Sequence, residues 1–223
     1  MPLFVFSAIF ILPLFFVSGC GVVGILGTPT PSEKSIPAEF KLAERKGDKI
    51  LVLVNQPAWL GAPIVLRQLL TEQITALLNE KAKIGSADII SYQELSDFRS
   101  KEPGYYMLSE NQVAGKLNAD LLLFVMLDDY SMLNLDNSGV FTGSLGGKAV
   151  LIDIVEDKQL WPAQDTKIIS VGFDSEGRGL EMVIQRLAVS FSHCLTRYLY
   201  DCPYRKFKTA DDKGGLGWTD WED

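Results

Sequence analysis

The sequence predicts an α/β (α+β) domain: a mixed β-sheet of about five strands with helices packed on it. Three observations predict it. A short β-branched apolar run occupies residues 49–54, an amphipathic helical pattern follows at once, and three β-rich segments come later in succession. A strand feeding a helix and another strand, followed by a meander, gives the order β-α-β-α-α-β-β-β-α. Such an order implies both parallel and antiparallel neighbours in one sheet.

The first strand, KILVLV, is closed by Asn55-Gln56-Pro57. Over residues 62–83, Leu66, Leu69, Leu70, Ile74, Leu77 and Leu78 recur at helical spacing, with Arg67, Gln68, Glu72, Gln73 and Glu80 opposite them. Residues 87–91 read as a second strand. Ser91-Tyr92-Gln93-Glu94 has the spacing of a capping box, and Ser109 is placed to cap a further short helix. The strongest strand signal is Asp120 followed by LLLFVML, with a hairpin-type turn at Asp136-Asn137-Ser138-Gly139. Residues 140–155 form the next strand, with a bulge or loop expected at Gly143 and Gly146-Gly147. Residues 159–173 form the last strand. Residues 178–201 read as the final helix, with Leu180, Val183, Ile184, Leu187, Phe191, Leu195 and Tyr198 along one face.

Ahead of this domain, residues 2–19 carry no charge. An uncharged run of this kind reads as a secretory leader or as an uncleaved membrane anchor. Val17-Ser18-Gly19-Cys20 resembles the bacterial lipobox, an aliphatic residue and two small ones before a cysteine. The resemblance implies a signal peptide over 1–19, removal before Cys20, and a covalent diacylglycerol on that thiol, with further acyl chains strengthening the hold on the membrane. The Pro/Ser/Thr-rich stretch after it reads as an extended tether over 20–47. The domain is expected over 48–204, and a mobile acidic tail over 205–223. Gly21 after the cysteine is compatible with outer-membrane sorting. The net charge of −7 disfavours nucleic acid, whose phosphates need a basic footprint.

The element order resembles the domain shared by curli-secretion lipoproteins, lipoprotein activators of penicillin-binding proteins and the N-terminal domain of TolB. The residues that carry the likeness are the KILVLV strand after a short tether, the long helix after it, Ala119-Asp120 leading into an apolar strand, and Asp153 before a turn with Leu160-Trp161 beyond it. The resemblance implies a protein-binding or assembly module of the envelope rather than an enzyme. A long amphipathic insertion suited to a secretion pore is not found.

Candidate chemistry is sparse. His193, the single histidine, would be a general base, a metal ligand or a helix histidine satisfied by a neighbour. With Cys194 and Cys202 it offers at most three ligands, too few for a recognisable zinc site. The two cysteines would lie roughly 12 Å apart on one helix, beyond disulfide reach unless the chain turns back. Gly143-Ser144-Leu145-Gly146-Gly147-Lys148 fails as a phosphate loop, because Thr142 and Ala149 stand where glycine and a hydroxyl are needed. Asp128-Asp129 is expected to end its strand with charge, and Asp153 to shape a turn. Trp59 in the loop after the first strand either covers the core or meets a partner. Trp218 and Trp221 in the acidic tail either dock in a partner's groove, or belong to a tail that is disordered or folds back onto its own domain.

The sequence thus points to a lipid-anchored, periplasm-facing module that meets an envelope protein, has no cofactor beyond its lipid, and is not an enzyme. An envelope hydrolase using carboxylates and a subunit of an oligomeric envelope complex are the alternatives.

Overall fold

The computed structural model of the protein describes residues 34–135, 140–175 and 179–209. In chain order its elements are β1 (Ser35–Ile36), β2 (Ile50–Asn55), α1 (Ile64–Glu80), β3 (Ile89–Ile90), α2 (Tyr92–Lys101) and α3 (Glu110–Lys116). There follow β4 (Leu121–Leu135), β5 (Val140–Asp153), β6 (Lys158–Trp161), β7 (Lys167–Ser175), α4 (Leu180–Thr196), β8 (Cys202–Pro203) and α5 (Tyr204–Thr209).

The predicted mixed sheet is present, in the order β3-β2-β4-β5-β6, with β7 also on β5. β2 is parallel to β3 and to β4. The β4–β5, β5–β6 and β5–β7 pairs are antiparallel. The single last strand expected over 159–173 is two strands. Pairing stops after Trp161, where Pro162 has no N–H to give a ladder, and resumes at Lys167. Gln159 spans the break, donating to the carbonyls of Pro162 and Asp165.

β2 is buried on both faces, which explains its unbroken apolar run. Its alternate residues serve two layers. Ile50, Val52 and Val54 join the core shared with α1 and α4, while Leu51 and Leu53 join a smaller one with α2 and α3. Leu66, Leu70, Ile74 and Leu78 bring α1 to the first layer, and Leu187, Phe191 and Leu195 bring α4.

The glycines of β5 are neither a bulge nor a loop. They lie within a regular strand, and they clear space. A Cβ at Gly147 would stand 2.8 Å from the Met126 carbonyl oxygen and 3.2 Å from Phe191, and one at Gly143 would meet Leu187 and Val183. α4 therefore crosses β5 where β5 has least side chain. The bulge lies opposite, in β4 between Leu127 and Asp129. Asp128 and Asp129 do not end that strand, which runs on to Leu135. The bulge absorbs the extra residue, and Lys148 sits 3.1 Å from Asp128. The expected turn at 136–139 lies outside the described residues.

Both expected caps form complete capping boxes, Ser91 with Glu94 and Ser109 with Gln112. Ordered chain extends past the expected domain limits at each end. Leu42 is buried in the core, β1 pairs antiparallel with β8, and α5 folds where the tail was expected to begin. Cys194 and Cys202 are not bridged to each other, and both are buried. No helix among the described residues is long and apolar enough to cross a membrane.

Candidate functional site

A concavity opens beyond the carboxyl end of β2, beside the parallel β2–β4 pair, which is where open α/β sheets leave a crevice. It has a volume of about 720 Å³. Its floor includes Leu53, Val113 and Phe124, and tyrosines 92, 105 and 106 contribute aromatic rings.

Two cations line it. Arg67 comes from the first turn of α1, a turn without acidic side chains, and Arg99 comes from the last turn of α2. The Arg99 Nε donates to the Tyr105 hydroxyl at 2.8 Å, and its guanidinium carbon lies 5.3 Å from the Tyr105 ring centre. Tyr105 is in turn edge-on to Phe98 and Tyr106. Arg99 is thereby held by aromatic neighbours rather than by an acid. Neither arginine is ion-paired among the described residues. Glu110 is the one described carboxylate in the lining.

Three polar atoms of the lining residues are buried without a hydrogen-bond partner: Arg67 Nε, Arg99 Nη1 and Gln56 Oε1. Gln56 spends its amide N–H groups on the carbonyls of Ala62 and Pro63, at 2.6 and 3.2 Å, which fixes the loop between β2 and α1.

Trp59 sits in that loop and is 73% exposed, so it does not cover the core; Leu60 packs there instead. Trp59 follows Ala58, which lines the cleft. Tyr106 is 97% exposed and Met107 after it 89%. Exposed apolar side chains thus sit on and next in sequence to the lining, surface of the kind that protein partners cover. Val17, Ser18, Gly19, Cys20, Trp218 and Trp221 lie outside the described residues.

His193 is remote from this cleft in its bonding. It is buried on α4, with Nε2 at 3.1 Å from the Lys206 carbonyl. Burial holds its imidazole down to about 4, helped by the positive charges of Arg197, Lys206 and Lys81, while the Lys206 carbonyl pulls the other way. Asp153 accepts from the N–H groups of Val155 and Glu156 and from Arg45, which hold its carboxyl below the usual range. It shapes the turn after β5. No group of three or more His, Cys, Asp or Glu side chains among the described residues is arranged to hold a metal ion.

No family model matches the chain, and no curated protein matches it by sequence. Solved structures do show likeness. Lipoprotein GNA1162 from Neisseria meningitidis is 15% identical, with 61% of this chain and 90% of that one covered and a TM-score of 0.43. The PelC dodecamer from Paraburkholderia phytofirmans is 17% identical over 75% of this chain and 94% of that one, with a TM-score of 0.38. The LpoB C-terminal domain from Salmonella enterica is 14% identical over 62% and 96%, with a TM-score of 0.33.

The sequence had marked the Pro57–Gly61 loop as a contact candidate but neither arginine. Arg67 reads as one polar residue of an amphipathic helix and Arg99 as a helix-end cation. Only Arg67 carried a hint, with no acid within four positions of it (Leu70 and Thr71 stand at i+3 and i+4); Arg99 has Glu102 at i+3, so its spacing gave no signal.

Proposed function

We propose that the chain is a lipid-anchored, periplasm-facing binding or assembly module of the cell envelope that performs no catalysis of its own. The anchor is the diacylglycerol on Cys20, at the end of the uncharged leader. The working surface is the cleft with its flanks: exposed Tyr106 lines it, and exposed Trp59 and Met107 follow the lining residues Ala58 and Tyr106 in the chain. That surface carries the proposal. Large exposed side chains around a pocket with two arginines have the composition of a protein-binding hot spot.

Two measurements test it. Intact mass of membrane-extracted protein, beside a Cys20→Ala variant, is expected to show a mature acylated chain that the variant lacks. A full-length unacylated chain in both would refute the anchor. A photo-cross-linking residue at Trp59 is expected to capture a discrete envelope protein that the same residue at exposed Val155 does not. Equal labelling from both positions would refute the binding surface.

A further inference from the structure

We propose that the cleft past β2 receives an acidic peptide segment of a partner, with Arg67 and Arg99 taking its side-chain carboxylates. This rests on the binding-module proposal and names the ligand chemistry of the same surface.

The first support is charge. The chain carries 28 acidic and 21 basic side chains, so an arginine has no shortage of potential partners. Yet both arginines of the cleft lack an ion pair among the described residues, while one carboxylate, Glu110, shares the lining. A guanidinium presents five N–H donors in a planar fork that fits a carboxylate through two parallel bonds.

The second support is placement. Arg67 and Arg99 both line the cleft, and each is only partly buried, so their side chains keep surface that a ligand in the cleft can reach.

The third support is shape. A space of about 720 Å³ takes several side chains, far more than one small oxyanion. β3 pairs with β2 only at Ile50 and Leu51, so no strand lies beside β2 from Val52 onward on that side among the described residues. Leu53, Val54 and Asn55 of that stretch line the cleft. An extended peptide brings a backbone for such an edge and side chains for the aromatic walls, which a free anion does not.

The test is a calorimetric titration of the full chain in detergent with a hexaglutamate peptide and, separately, with inorganic phosphate. Hexaglutamate is expected to bind one to one, more weakly as salt rises. Arg67→Gln and Arg99→Gln are each expected to weaken it by at least roughly tenfold. Arg99→Lys keeps the charge but not the fork and is expected to fall between. Near-UV circular dichroism identifies any variant that fails to fold, and the lysine variant then carries the comparison. Absence of hexaglutamate binding, or binding equal in all folded variants, would overturn the proposal. So would phosphate binding that depends on the arginines while hexaglutamate does not compete. In each of those cases a protein captured at Trp59 would leave the module itself standing.

Discussion

His193 is the chain's single histidine, and its folded imidazole is held at about 4 against an ordinary 6.5. The cause is burial on α4, reinforced by Arg197, Lys206 and Lys81. The depressed value fixes the sign. Below pH 6.5 the unfolded chain takes up a proton that the folded chain refuses, so stability is full above 6.5 and falls as pH drops towards 4. The loss is about 2 kcal/mol between pH 7 and pH 5, and about 3 kcal/mol by pH 4. Carboxylates held low in the fold, such as Asp153 and Glu80, give up their contributions at lower pH, so the upper window belongs to one group. Urea unfolding followed by the fluorescence of buried Trp161 measures it. A His193→Gln variant should show a nearly flat profile over pH 5–7. A sloping profile in the variant, or an imidazole NMR titration near 6.5 in the native chain, would refute the reasoning.

Further expectations concern the frame around the cleft. Gly147→Val should destabilise by roughly 2–3 kcal/mol in denaturant melts, because its Cβ meets a backbone oxygen at 2.8 Å as well as Phe191. Gly115→Ala on α3, where an added Cβ meets nothing within 4 Å, should instead stabilise by about 0.5–1 kcal/mol. Asp153→Ala should cost roughly 1–3 kcal/mol in thermal unfolding, since it leaves the N–H groups of Val155 and Glu156 without their acceptor, while Arg45 keeps Asp48. Ser91→Ala and Ser109→Ala should each cost about 1 kcal/mol, and the two losses should add because the caps serve different helices.

Periodicity made most of the fold legible. α1 and α4 bury residues at helical spacing, β2 alternates between two layers, and both capping boxes stand where Ser-x-x-Glu and Ser-x-x-Gln spell them. Two of the differences share one cause: local propensity is a poor guide to glycines and acids whose role long-range packing decides. Gly143 and Gly147 look like chain breakers, yet they are needed because α4, some 40 residues later in the sequence, lies against them. Asp128 and Asp129 look like a strand end, yet β5 pairs with β4 on both sides of them.

The same distinction governs the site. The features that resemble a lipoprotein family prove to be structural in this chain: Asp120 accepts the Lys49 N–H at 2.8 Å, Asp153 holds a turn, and Trp161 is buried with its Nε1 donating to Glu39. Each builds the frame, and none lines the cleft. Arg67, Arg99 and Gln56 come from three separate segments, and no local motif joins them. What they share is a place in the lining of the cleft, a property of the folded arrangement that spacing does not encode. If the cleft works through those three side chains, its specificity can change by substitutions that leave every core position and cap untouched. The frame and the recognition surface are therefore separable. A core variant should lower stability and hexaglutamate binding only together, whereas Arg67→Gln should lower binding at unchanged unfolding midpoint.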